Sequence, residues 1–211
     1  MWAACTFRKP LQWGSAALSQ YQQTSKKRPF AVAFATCFAK GSASDWVAQL
    51  AVEGRSVSAT DDSKRVSFLR NLAFATFSGA YLGCAQHVIY NVVFTKWLGS
   101  AQTAVVGLKK SVADSLLHVP FLYLPLFYAF EHPVLYGGTP LDGLRRYFVG
   151  VDSKPPEIVP TMLTYWKIWP LFHAVNFTLT PVELRIPLIA CVSFVWLVFL
   201  SVISHGHKGK E

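Results

Sequence analysis

Apolar residues along this chain fall into long blocks with few interruptions, and short polar turns separate them. The blocks run from about Pro29 to Val52, Ser67 to Phe94, Val105 to Phe130 and Ile186 to Ile203. A helix needs roughly 20 mostly apolar residues to cross a bilayer core, so each block is a candidate span. The run from Ile186 to Ile203 carries no charge and ends in Ser204, His205, Gly206, His207 and Lys208, which makes it the clearest of them. The third block holds Lys109, Lys110, Asp114, His118, Pro120 and Pro125, and reads as kinked or partly interfacial. Between Asp142 and Pro181 an aromatic stretch with Trp166, Trp169 and Phe172 reads as a further span, a half-span or an interfacial helix. The connections are short and turn-rich, as in Tyr136-Gly137-Gly138-Thr139-Pro140. No internal repeat is visible, which leaves an inverted-repeat transporter unsupported. The expected fold is all-α: an integral membrane bundle of about four transmembrane helices with an additional amphipathic N-terminal helix. Residues 1–17 form a basic extension, 18–204 one membrane domain and 205–211 a polar tail.

Ionisable groups inside such blocks are costly in lipid and turn toward the bundle interior or water. Asp45 and Gln49, His87 and Asn91, and Asp114 and His118 are each spaced i,i+4, so each pair projects from one helix face. Trp169, His173, Asn176 and Thr180 continue the pattern as a single stripe. Facing one another, these stripes would form either a hydrophilic path or a sealed interhelical hydrogen-bond network. Both readings stay open on spacing alone. Gly79 and Gly83 make a G-x-x-x-G that lets another helix approach closely.

Composition supports the membrane reading: 52% of residues are hydrophobic and only 15% charged, against about 25% charged in soluble domains. The net charge of +9 is scattered between apolar blocks without a basic stripe, so no nucleic-acid partner is expected. The Lys and Arg balance places both termini on the inner side, matrix or cytosol. The first acidic residue is Asp45, and the Arg- and Ser-containing N-terminus reads as a mitochondrial targeting sequence or a basic surface helix. Cys5, Cys37, Cys84 and Cys191 are far apart and read as small buried hydrophobes, with neither a disulfide framework nor a metal site. No H-E-x-x-H, P-loop, G-x-S-x-G or paired-carboxylate frame is present, so neither an enzyme nor a cofactor is expected.

The C-terminal third reads Trp169-Pro170-x-x-His173-x-x-Asn176-Phe177-x-x-x-Pro181-x-x-x-Arg185, followed by Trp196 and Leu200-Ser201. This resembles the signature of the Mpv17 and PMP22 family of mitochondrial inner-membrane and peroxisomal membrane proteins. Upstream, Tyr21, Pro29, Thr36, Asp45 with Gln49, Arg70, Gly79, Gly83, Tyr90, Lys109-Lys110, Asp114 and Pro120 resemble its earlier elements. Ser44, Cys84, Ser115 and His173 depart from the residues usual in the family, which marks a divergent member. The resemblance implies a four-helix membrane protein, in some members a weakly selective channel. In mitochondrial members it also implies a link to membrane integrity and deoxynucleotide supply.

Two functions therefore compete. One is a channel-like protein of the mitochondrial inner membrane, or alternatively the peroxisomal membrane, serving metabolite or ion permeation and membrane homeostasis. The other is a non-conducting accessory subunit of a larger inner-membrane assembly of respiratory or ATP synthase type. The residues expected to line the path, or to form the polar network, are Asp45, Gln49, His87, Asn91, Asp114, His118, His173, Asn176 and Arg185. The expected partners are the lipid bilayer and a homo-oligomer or larger membrane complex.

Overall fold

The computed structural model describes residues 8–61, 64–151 and 155–194, with side chains from Ala16 onward. Regular structure among the described residues is helical, apart from an isolated bridge between Ser56 and Arg65. Eight helices follow in order. They are α1 (Arg8–Lys27), α2 (29–52), α3 (68–98), α4 (Ala104–Leu135), α5 (Pro140–Phe148), α6 (Ile158–Trp166), α7 (Trp169–Leu179) and α8 (182–194). Their boundaries follow from local chemistry. Proline opens α2, α5 and α7, where its missing N–H costs nothing. Thr139 and Asp142 close a reciprocal capping box on α5, and Thr103 caps α4 by accepting from the Val106 amide. Gly99, at φ 111°, ends α3 in a conformation other residues resist.

Helix α4 is the one described helix long and apolar enough to cross a membrane, at 32 residues. Its exposed apolar residues run from Val105 through Val112 and Leu117 to Leu126. At 1.5 Å per residue that stripe covers about 32 Å, close to the thickness of a bilayer core. Pro120 lies inside a stretch of wider, π-type turns over Asp114–Tyr123, and the helix continues past it and Pro125 to Leu135. There the amide of Leu124 reaches back five residues to the Val119 carbonyl. In that register Pro120 and Pro125, lacking N–H groups, leave the carbonyls of Ser115 and Pro120 without amide donors. Aromatic side chains take both places: the Trp166 indole donates to the Ser115 carbonyl at 3.1 Å, and the Tyr147 hydroxyl to that of Pro120 at 3.0 Å.

Two compact units make up the chain. One gathers α1, α2, residues 74–87 of α3, and α8. Within it, α2 packs on α3 through small residues. A Cβ on Gly83 would lie 2.6 Å from the Ala33 carbonyl oxygen, and one on Gly79 2.8 Å from the Phe34 ring. The G-x-x-x-G thus serves close packing, as its sequence suggests. Tyr21 and Thr36 share a hydrogen bond of 3.0 Å that ties α1 to α2, and Lys26 lies 3.5 Å from Glu183 at the start of α8.

The other unit holds the ends of α3 and all of α4 to α7. Glycine again sets the spacing: Gly107 of α4 faces Ala174 and Thr178 of α7, and Gly143 of α5 sits on the Tyr128 carbonyl of α4. Here Ser111 donates to the Pro170 carbonyl at 2.6 Å. The apolar core is Val119, Leu124, Tyr128, Tyr147 and Met162.

Two sequence expectations change, and a third lies partly outside the described residues. The aromatic stretch from Asp142 to Pro181 is three short helices, broken between Phe148 and Ile158 and again at Lys167 and Ile168 before Pro170. Of the Ile186 to Ile203 block, 186–194 is helical and the remainder, with Trp196, lies outside the described residues, as do Cys5 and the 205–211 tail. Only Cys37 is the buried small residue expected; Cys84 is half-buried and Cys191 exposed.

Candidate functional site

The buried face of α4 presents Lys110, Ser111, Asp114, Ser115 and His118. An ionised carboxylate taken out of water is stable only when its oxygens are hydrogen-bonded and its charge is compensated. Asp114, with no exposed surface, meets that demand through hydrogen-bond partners on three helices and an imidazole close by on a fourth. Tyr90 of α3 donates to Oδ1 at 2.7 Å, and His118 of α4 places Nδ1 2.6 Å from the same oxygen. Tyr165 of α6 donates to Oδ2 at 2.5 Å, and His173 of α7 holds Nε2 3.5 Å from it. A carboxylate only accepts, so His118 contributes an Nδ1–H.

Aromatic rings wall the centre. Tyr90 meets His118, His173 and Phe177 edge-on, and the rings of Trp169 and Phe177 stack on either side of His173 along α7. Such walls lower the local dielectric and strengthen each hydrogen bond inside them.

Away from this saturated carboxylate, several polar groups have no such match. Asn176 is 0% exposed, and neither its amide nitrogen nor its amide oxygen has a hydrogen-bond partner among the described residues. The same is true of His173 Nδ1 and Ser115 Oγ. The buried Lys110 reaches Thr95 Oγ1 at 3.1 Å.

The sequence-derived residues divide between the two units. Asp114, His118, His173 and Asn176 belong to the second, where Asp114 joins both imidazoles. Asn91 is in the same unit and half-buried. Thr180 does not continue the α7 stripe, because the helix ends at Leu179 and Thr180 turns extended. In the first unit Gln49 donates to Asp45 at 2.7 Å, both buried. There His87 stands edge-on to Phe30, and Arg185 is buried while the Glu183 carboxylate lies beside Lys26. Of the motif residues, Trp169 and Phe177 wall the Asp114 centre, the Pro170 carbonyl accepts from Ser111, and Pro181 precedes α8.

Sequence reasoning did not place Tyr90, Lys110 and Tyr165 in the site, although Tyr90 and Lys110 stood among the residues of the family resemblance. Two carried a signal of spacing: Lys110, Asp114 and His118 continue one i,i+4 progression, and Tyr165 extends the Trp169, His173 stripe back by one turn. Among the described residues no group of three or more His, Cys, Asp or Glu side chains is placed to hold a metal ion.

A second cluster lies at the far end of α4, beyond the apolar stripe. Arg146 of α5 sits 3.8 Å from Glu131 and 3.7 Å from Glu157, and its guanidinium covers the rings of Tyr128 and Tyr136. Nearby, the Thr139 backbone amide and hydroxyl hold the exposed Asp142 carboxyl below its ordinary range.

The described residues are thus helical, one of their helices is long and apolar enough to cross a membrane, and a buried carboxylate is held by the chain's own donors. Residues 157–201 match the Mpv17 / PMP22 family of membrane proteins, which supports a divergent member of that family. It is 25% identical to "Protein SYM1" of Debaryomyces hansenii over 89% of each chain. It is 29% identical to "Protein sym1" of Aspergillus oryzae, covering 89% of this chain and 98% of that one. The "Peroxisomal membrane protein PMP22" of Arabidopsis thaliana is 26% identical over 66% of this chain and 68% of its own. No solved structure matches the chain.

Proposed function

We propose that this protein is a channel-like, non-enzymatic component of the mitochondrial inner membrane, with about four membrane-spanning helices, that lets small metabolites or ions permeate. The observation that carries the reading is the polar column on the buried face of α4. Lys110, Asp114 and His118 stand in line inside the length of the apolar stripe, backed by His173 and Asn176 of α7. Ionisable groups at that depth are expensive and mark ion or substrate pathways more often than packing. Their burial makes the described conformation a closed one, so permeation requires Asp114 to exchange partners. A relative named as a peroxisomal membrane protein supports the peroxisomal membrane as the alternative address.

A second reading, the non-conducting accessory subunit, draws on the completeness with which Tyr90, Tyr165, His118 and His173 satisfy Asp114. Planar-bilayer recordings of the purified full-length chain decide between them. Discrete currents that increase when Tyr165→Phe loosens Asp114 are expected. Silent bilayers from folded protein, together with co-migration with a large respiratory assembly, would sink the channel reading.

A further inference from the structure

We infer that the layer of the polar column formed by Lys110, Thr95 and Asn176 is a binding site for a small oxyanion, a carboxylate or phosphate, and that the permeant is therefore anionic. The inference rests on the permeation reading for its second half only; the site stands on its own geometry.

Helix α7 runs antiparallel to α4, and three contacts set the register. His173 lies against Asp114, Ala174 and Thr178 against Gly107, and the Pro170 carbonyl against Ser111. Asn176 lies between Ala174 and Thr178, both of which meet Gly107, and so sits at the Gly107 level. The Lys110 side chain slants toward that level, since side chains lean toward the N-terminus of their helix, and its hydrogen bond of 3.1 Å to Thr95 brings α3 there. Three helices thus contribute an ammonium, a hydroxyl and a carboxamide to one layer near the start of the apolar stripe.

The chemistry of that layer differs from the one below it. Both Asp114 oxygens already accept from the chain's own donors, so the carboxylate is not presented to a permeant cation. Asn176 is the reverse case. Its carboxamide is fully buried, and both amide atoms lack partners among the described residues. A buried amide left unmatched destabilises the fold, and an apolar side chain of similar size would remove that cost. Two N–H donors on Asn176, level with the Lys110 ammonium, suit an oxyanion, which would accept from both and gain a charge-assisted bond from the cation. Basic side chains serve the same purpose in anion-selective pores.

The test uses the purified full-length chain in detergent, with inorganic phosphate as the probe at constant ionic strength. Phosphate should raise the unfolding temperature saturably in the wild type. In Asn176→Leu the apparent phosphate affinity should weaken by roughly tenfold, the loss of one hydrogen bond to a charged group. The variant's own unfolding temperature without phosphate should be unchanged or higher. Asn176→Ala and Lys110→Met serve as second variants should Leu not be accommodated. No phosphate-dependent shift in the wild type, or an equal shift in the variants, overturns the site. In reconstituted bilayers under a KCl gradient the reversal potential should have the anion sign and move toward zero in Lys110→Met. Currents that are cation-selective alike in both proteins overturn the inference while leaving permeation intact. A phosphate shift with silent bilayers keeps the site and removes the permeation reading.

Discussion

The hydroxyl of Tyr147 donates to the carbonyl of Pro120 at 3.0 Å, occupying the place of the amide that Pro125 lacks. Trp166 does the same for the Ser115 carbonyl, which Pro120 leaves open. The two prolines are thus points at which α5 and α6 attach to α4, each leaving a carbonyl that an aromatic side chain from another helix occupies.

That pairing sets the first expectation. Tyr147 is fully buried, so Tyr147→Phe strands a buried carbonyl and should cost about 1 to 3 kcal/mol. Restoring an amide with Pro125→Ala should recover part of the loss. Unfolding in detergent of the single and double variants gives the coupling directly. Strictly additive effects would show that the hydroxyl does not replace the missing donor.

Gly143 carries the second. A Cβ there would overlap the carbonyl oxygen of Tyr128, and a backbone atom cannot turn aside. Gly143→Ala should separate α5 from α4 and destabilise the protein by about 1 to 3 kcal/mol, in the range of an overpacked core. Gly54→Ala tests a different mechanism, since its Cβ would meet nothing and only its positive φ resists. A larger loss at Gly54 than at Gly143 would refute the packing argument.

Removing one donor from Asp114 leaves a buried carboxylate short of a hydrogen bond. Tyr165→Phe should lower stability by about 1.5 to 3 kcal/mol, the range for bonds to charged groups. Tyr90→Phe should behave alike, and the pair should be non-additive because both act on one anion. Thermal melts that leave both variants at wild-type stability would contradict the described centre.

The Thr139 capping box predicts a pH dependence outside the membrane. Its bonds hold Asp142 below the ordinary carboxylate range, so the folded state binds the proton more weakly than the unfolded chain. The stabilisation is complete above the unfolded value of about 3.9 and is lost as pH falls through the folded one. Wild type and Asp142→Ala should differ in melting temperature at neutral pH and converge at the acid end. A gap that persists under acid would assign the effect to packing.

Much of the fold was legible in the sequence because apolar blocks and i,i+4 polar pairs are local properties. Asp45 with Gln49 and Asp114 with His118 pair within single helices, and their spacing gives them away. The roles of Tyr90 and Tyr165 as donors to Asp114 were not legible, since spacing alone can put Tyr165 on a stripe but a buried phenol and a lipid-facing one look the same in a hydrophobic run. Their role depends on which helix lies opposite. The bonding around Pro120 was not legible for a different reason: nothing near it in sequence announces the distant Tyr147 and Trp166 that occupy the open carbonyls.

The wide turns of Asp114–Tyr123 also make α4 a screw with a movable thread. Each such turn accommodates a residue that an ordinary α-helical turn would not. Tightening a single one into the α register would swing the side chains on one side of it through roughly 100° about the axis relative to those on the other. Were the tightened turn the one between Asp114 and His118, the imidazole would leave the carboxylate it now touches without any helix tilting or sliding. A rotation of that kind needs no room at the helix ends.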